Sequence, residues 1–296
     1  MSLYAFQGAV SLGLGYGLMV LGVYITFRVL DFPDLTVDGS LPLGGAVSSV
    51  LISRGLDPFL SLLPAFLAGF LAGTVTGFLS ARLKILNLLA SIITMTALYS
   101  VNIRVMGGPN VSLINEPTVF LPLRGLGLSP MLSSNLVFLG FILVIASLLI
   151  WLMKTEYGQA LIATGDNPKM ITSLGVNTSF TVVTGVGLSN ALVALSGALI
   201  AQNQGSADVG SGIGTIVAGL ASIVIGETLF PSRRVSAAIV AVVLGSFLYR
   251  LVIALALNVR FKGFSLTASD LQLITAALVV AALILPRLKR GFGEKK

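Results

Sequence analysis

The chain has 296 residues, 55% of them hydrophobic and only 10% charged, against about 25% charged in an ordinary soluble domain. That balance excludes a soluble two-domain protein, because no polar stretch is long enough to build one, and leaves a single membrane domain over 1–296. Cysteine and histidine are absent, which removes disulfides, thiolate and imidazole metal sites and Ser-His chemistry. The net charge of +7 gathers in part in the C-terminal "RLKRGFGEKK", an arrangement suited to anionic lipid headgroups and not to nucleic acid.

Runs of about 20 apolar residues cross a bilayer as helix. In chain order they predict an all-α, polytopic membrane fold with spans at 5–28, 41–54, 58–81, 86–106, 133–153, 179–203, 211–230, 235–257 and 270–286. Nine is the count adopted, with eight and ten as alternatives. The first run has no basic residue before Arg28 and no cleavage site, so it reads as a retained helix and not a signal peptide. Basic residues in short loops (Arg82 with Lys84, Lys154 with Lys169, Arg233 with Arg234) and the tail fall on one side of an alternating scheme. That scheme puts the C-terminus in the cytoplasm and the N-terminus outside, with Arg124, Arg260 and Lys262 running against it.

The first interruption is "FPDLTVDGSLPLGG" at 32–45. Arg28 and Asp31 read as a local ion pair, and Asp34 as a cap on the following turn. Thr36, Asp38, Gly39 and Ser40 mark the start of a broken helix whose exposed N–H groups need acceptors in a membrane. Asp38 is read as that helix's own cap, with a pathway or gating group as the alternative. A second glycine-interrupted segment, "DVGSGIGTIVAGLASIVIG" from Asp208, echoes it, and paired interrupted segments point to a transport pathway. Asn102, Asn190, Gln202, Asn203 and Gln204 lie in or at the ends of apolar helices, where they either bond neighbouring helices or line the pathway. Gly13, Gly15 and Gly17, and Gly69, Gly73 and Gly77, have the spacing of close helix packing. Glu227 is assigned to Arg233 or Arg234. The loop 107–130 is read as holding a short interfacial helix or receiving a soluble partner, with a connecting loop packed on the bundle as the alternative.

The segment "KTEYGQALIATGDNPKMITSLGVNT", 154–178, carries the clearest helix punctuation. Gly165 is read as ending a helix from about 155 to 164. Asn167 is an N-cap with Pro168 at the first helical position, and Gly175 closes the second helix. A helix of two turns is marginal in water. Its Met170, Ile171 and Leu174, clustered on one side, therefore need either a partner's cleft or the chain's own bundle.

Here "YGQALIATGDNPKMITSLGVNTSF" resembles the coupling-helix region of ABC importer permeases of the branched-chain amino acid and ribose permease superfamily. Gly158, Ala160, Ala163, Gly165, Asn167, Gly175, Val176 and Asn177 fit the family pattern, while Ile171 and Ser173 stand where an alanine is common. "PDLTVDGSLPLGGAV" is similar to the D-L-[ST]-V-G-S signature of the sugar permeases, with the extra Asp38 of a subgroup named for tryptophan and tyrosine. The resemblance implies a permease subunit of a bacterial cytoplasmic (inner) membrane importer for a small polar solute, an amino acid by preference. It implies two permease protomers, as a homodimer, and an extracytoplasmic substrate-binding lipoprotein. It also implies a cytoplasmic ABC ATPase dimer that holds the ATP and magnesium, this chain binding no cofactor. Glu156, Gly158, Gly165, Asn167, Pro168, Met170, Leu174 and Gly175 would then couple to the ATPase. No G-x-x-x-x-G-K-[ST] phosphate loop occurs in the chain, which agrees with a subunit that is not itself the ATPase. An ion-coupled secondary transporter using Asp38 and Asp208, a channel, and an intramembrane enzyme are the alternatives.

Overall fold

The computed structural model describes residues 3–258 apart from 126, 128 and 233, together with 260–261, 264–265, 273, 275–277 and 280. The first helix, α1 (Leu3–Tyr24), ends in a π turn at Ile25–Val29, and the chain then runs irregularly to Thr36. Next come α2 (Val37–Ser53), α3 (Pro58–Ala81), α4 (Asn87–Met106), a short strand β1 (Asn110–Ser112) and the single turn α5 (Leu121–Gly125). After α6 (Pro130–Lys154) the chain forms two short helices, α7 (Glu156–Asp166) and α8 (Pro168–Ser173), and returns through α9 (Thr178–Gln204). Strand β2 (Ser206–Asp208) and a 3₁₀ turn (Val209–Gly212) lead into α10 (Thr215–Leu229), then α11 (Val235–Asn258) and the two-residue strands β3 (Arg260–Phe261) and β4 (Phe264–Ser265).

Seven of these helical segments are long and apolar enough to cross a membrane, and α2 is a shorter apolar helix beside them. They coincide with the first eight expected segments; the ninth, 270–286, and the basic tail lie largely outside the described residues. Two boundaries are corrected. The second segment begins at Val37, four residues before the expected 41, and the helix in 211–230 begins only at Thr215. The loop 107–130 does contain a short helix, α5, but also β1, which pairs antiparallel with β2 through Asn110–Asp208, Val111–Ala207 and Ser112–Ser206. One end of the bundle thus carries the β1–β2 clip and the other carries α7 and α8.

The middle of the bundle is α9. Every residue from Ser189 to Gln202 is buried, as expected of a helix apolar on all sides. α1, α2 and α3 pack on it. The α3 glycine stripe performs the predicted close packing: a Cβ at Gly69 or Gly73 would run into the Asn190 or Val186 carbonyl of α9. α4 and α6 lie at the periphery and leave Ile93, Leu143, Leu148 and Trp151 exposed, the side-chain type that faces lipid hydrocarbon.

Candidate coupling surface and translocation site

At the α7–α8 end, punctuation works largely as the sequence predicts. The Thr155 hydroxyl accepts from the Gly158 amide at 3.3 Å and the Asn167 Oδ1 accepts from the Met170 amide at 3.0 Å, with Pro168 opening α8. Gly175 takes φ +86°, the left-handed conformation that spares a Cβ penalty. Gly165 is a correction: α7 runs through it to Asp166. Its lack of a side chain serves packing instead, because a Cβ there would overlap the Val29 carbonyl at the π turn of α1. Gly158 likewise abuts the Leu152 carbonyl. α7 is held on its inner side by buried Leu161 and by the Tyr157 hydroxyl, which pairs with Thr184; burial raises that phenol above its ordinary range.

The apolar cluster on α8 is also corrected. Ile171 is buried, whereas Met170 and Leu174 are 51% and 71% exposed. They share an outward surface with Glu156, Asp166, Asn167, Pro168 and Lys169. Exposed apolar side chains on a helix too short to stand alone need a binding surface.

The second constellation surrounds the start of α2. The Asp34 carboxylate is buried; one oxygen accepts the Thr36 amide at 2.9 Å and the other accepts Asn190 Nδ2 at 2.7 Å. Asn190 Oδ1 accepts from the Ser40 hydroxyl at 2.7 Å, and Thr36 shares a hydroxyl contact of 2.7 Å with Thr76 of α3. Asp34 therefore turns the chain as predicted, and in addition ties that turn to the centre of α9. Such a fully bonded polar group is the arrangement that a low-dielectric interior tolerates.

Asp38 is a cap, but not of its own helix. One carboxylate oxygen accepts the Gly214 amide at 2.9 Å; the other accepts the Thr215 hydroxyl at 2.9 Å and the Ile216 amide at 2.8 Å. It closes the N-terminus of α10, where a carboxylate is favoured by both the free amides and the helix dipole. Pro42 has no N–H to give the Asp38 carbonyl, and Gly212 sits so close to that carbonyl that a Cβ would overlap it. The two interrupted segments thus meet at their N-termini. On the other side of α2, Asn102 Nδ2 donates to the Gly39 carbonyl at 3.1 Å while Oδ1 is buried without a partner. A cavity of about 270 Å³ opens there, lined by Asp38, Asn102, Met95, Thr96 and Tyr99.

Three candidates lie elsewhere. Gln202 accepts the Val119 amide at 3.0 Å and donates to Ser48 at 3.0 Å and, more loosely, to Ser61 and the Pro58 carbonyl, fastening the β1–β2 end. Asp208 is exposed and caps the 3₁₀ turn through the Gly210 amide at 2.7 Å, so it forms no carboxylate pair with Asp38. Asn203 accepts from Ser134 at 2.6 Å. The assignments of Arg28 to Asp31 and of Glu227 to Arg234 are corrected, Arg233 lying outside the described residues: Arg28 Nε meets Glu227 Oε1 at 2.8 Å, because α10 returns beside the end of α1.

Sequence reasoning missed Arg250. It is the one charged residue inside the α11 run, fifteen positions after Val235 and eight before Asn258. Its guanidinium lies 3.9 Å from the centre of the Tyr16 ring. The signal was present, since an ionisable residue within a span is costly and marks function.

The chain matches the profile of the family described as branched-chain amino acid transport system / permease component over residues 5–285. It is 41% identical over 266 residues to the tyrosine transport system permease protein of Clostridioides difficile, spanning 90% of this chain and 86% of that protein. It is 24% identical over 268 residues to the ribose import permease protein of Haemophilus influenzae, spanning 90% and 80%. Its fold is similar to that of a metal-chelate-type ABC transporter solved in an inward-facing conformation, with a TM-score of 0.53 and 18% identity over 95% of this chain and 85% of that one. The chain belongs to the branched-chain amino acid permease family and is the membrane permease subunit of an ABC importer.

Proposed function

We propose that this subunit imports an amino acid of the tyrosine type across a bacterial cytoplasmic membrane, working as a homodimer. The α7–α8 end faces the cytoplasm, where an ABC ATPase dimer holds ATP and magnesium, and this chain binds neither. The N-terminus lies outside and the C-terminus inside. An extracytoplasmic substrate-binding lipoprotein delivers the substrate at the β1–β2 end. The relationship to a tyrosine permease supports the substrate class, and Arg82, Lys84, Lys154 and Lys169 at the α7–α8 end support the orientation.

The observation that carries the coupling role is the exposure of Met170 and Leu174 on α8 while Ile171 anchors the helix inward. Closing of the ATPase dimer pushes α8 and α7 together; α7 bears through Gly165 on Val29, where α1 gives way to the chain leading into α2. The test is co-purification with the ATPase and tyrosine uptake in liposomes for Met170→Asp and Leu174→Asp. Loss of ATPase retention with at least about tenfold slower uptake is expected. Unaltered retention and uptake would sink the coupling role, and uptake of ribose but not tyrosine would sink the substrate class.

A further inference from the structure

The guanidinium of Arg250 is the group that the fold leaves without an explanation. Along α11 it stands about 22 Å from one end and about 12 Å from the other, which places it within a hydrocarbon layer of about 30 Å. An arginine stays charged in any such setting. Among the described residues no carboxylate faces it; the ion pair found there is Arg28 with Glu227, at the α7–α8 end. Arg250 Nε is buried with no hydrogen-bond partner. Its neighbours are the faces of Tyr16 and Tyr249, 3.9 and 5.8 Å from the guanidinium carbon. Ring faces stabilise a cation without neutralising it.

Beside this cation lies a cavity of about 410 Å³, lined among others by Tyr16, Ser211, Thr215, Tyr249 and Arg250. Three of the hydroxyl protons along it are already committed. Ser211 donates to the Asp208 carbonyl, Thr215 to the Asp38 carboxylate and Tyr249 to Thr275. Those three oxygens retain only lone pairs for a visitor, so Arg250 supplies the charged donors and these three hydroxyls supply acceptors. A ligand that fits carries an oxyanion for the guanidinium fork and a cationic or N–H donor for the hydroxyl side.

We propose that this cavity is a substrate subsite in which Arg250 binds the α-carboxylate of the transported amino acid and the Ser211 and Thr215 hydroxyl oxygens accept from its ammonium group. The assignment rests on the amino-acid importer reading above. It places substrate recognition within the membrane, at the turn that Asp38 holds closed. The same guanidinium chemistry suits the phosphate of a lipid headgroup, and the test separates the two.

The permease–ATPase complex is placed in nanodiscs, and binding of radiolabelled tyrosine is measured for the wild type, Arg250→Lys and Arg250→Gln, with size exclusion and melting as controls for folding. Competition uses tyramine, which lacks the carboxylate, and 3-(4-hydroxyphenyl)propionate, which lacks the ammonium group. For the wild type, neither competitor should match unlabelled tyrosine. Arg250→Gln should weaken tyrosine binding about 10- to 100-fold, the scale of lost charge-assisted hydrogen bonds. It should also abolish the preference for tyrosine over tyramine, while Arg250→Lys retains part of both. Unchanged binding in a folded Arg250→Gln overturns the proposal, as does a wild type in which tyramine competes as well as tyrosine. A wild-type melting temperature that rises with phosphatidylglycerol content, with that rise lost in Arg250→Gln and tyrosine affinity kept, assigns the cation to lipid and also overturns it. If Arg250→Gln does not fold, Arg250→Lys decides: unchanged tyrosine affinity with an unchanged preference over tyramine overturns the proposal. Import of tyrosine by a transporter indifferent to Arg250 removes only this subsite; a wild-type complex that binds no amino acid removes the amino-acid substrate class with it.

Discussion

Replacing Asp38 tests whether one carboxylate holds two broken segments together. In the wild type it receives two amide donors and one hydroxyl from residues 214–216, and a hydrogen bond to a charged group contributes about 1.5–3 kcal/mol. Asp38→Leu removes both acceptor oxygens and leaves the three donors at the start of α10 without partners, a loss of about 4.5–9 kcal/mol by that reckoning. Asp38→Asn keeps the oxygen that serves Thr215 and Ile216 but turns an NH₂ group toward the Gly214 amide, a loss of about 2–4 kcal/mol. Hydrogen exchange read on a peptide covering 210–218 measures this directly, since each 1.4 kcal/mol is about tenfold in the opening equilibrium. Exchange at 214–216 should therefore quicken by about 30-fold or more in the Asn variant and by at least about a thousandfold in the Leu variant. The amides at 37–40 should change less, because Asp38 does not cap its own helix. Equal effects of Asn and Leu, or an effect confined to 37–40, would refute the reasoning.

Three further outcomes follow from named contacts. Asn190→Leu removes a donor from the buried Asp34 carboxylate and an acceptor from Ser40, so melting of the purified permease should register a loss of at least about 3 kcal/mol. Gly165→Ala drives a methyl group into the Val29 carbonyl and should cost about 1–3 kcal/mol. Gly175→Ala, in open space but at positive φ, should cost about 1 kcal/mol; the reverse order in a denaturation series would count against the α7 packing. Arg28 and Glu227 are 60% and 31% exposed, so a double-mutant cycle with glutamine at both positions should give a coupling below about 1 kcal/mol that falls with salt.

What was legible in the sequence is what local chemistry decides. Asn167, Pro168 and Gly175 punctuate α8 within a few residues of themselves, and the Gly69–Gly73–Gly77 stripe announces close packing whatever the partner helix is. The break before Val37 was visible because Pro33 and the flanking carboxylates interrupt the apolar run, whereas Asp38, Gly39 and Pro42, read as part of the same break, lie inside α2. The recipient of Asp38 was not visible, since Gly214 lies 176 positions away and only the fold brings it near. Glu227 was misassigned for the same reason: basic residues close in sequence were preferred to Arg28, 199 positions away. Gly165 misled because a glycine late in a helical run signals a terminus and a close contact alike. Arg250 was overlooked although its signal was local.

The short irregular stretch after the π turn has a mechanical meaning. Val29, on which Gly165 rests, and Asp38, which grips α10, are nine positions apart on one strand of backbone, a reach of at most about 30 Å. Phe32 and Asp34 are buried along it, and Asp31 already takes φ 49°. This stretch is a short connection with a turn at either end, fixed in place by its buried residues. A shift of α7 therefore has a short backbone route to the start of α10. Lengthening it by a pair of glycines after Asp31 should weaken the link between the two ends of the molecule.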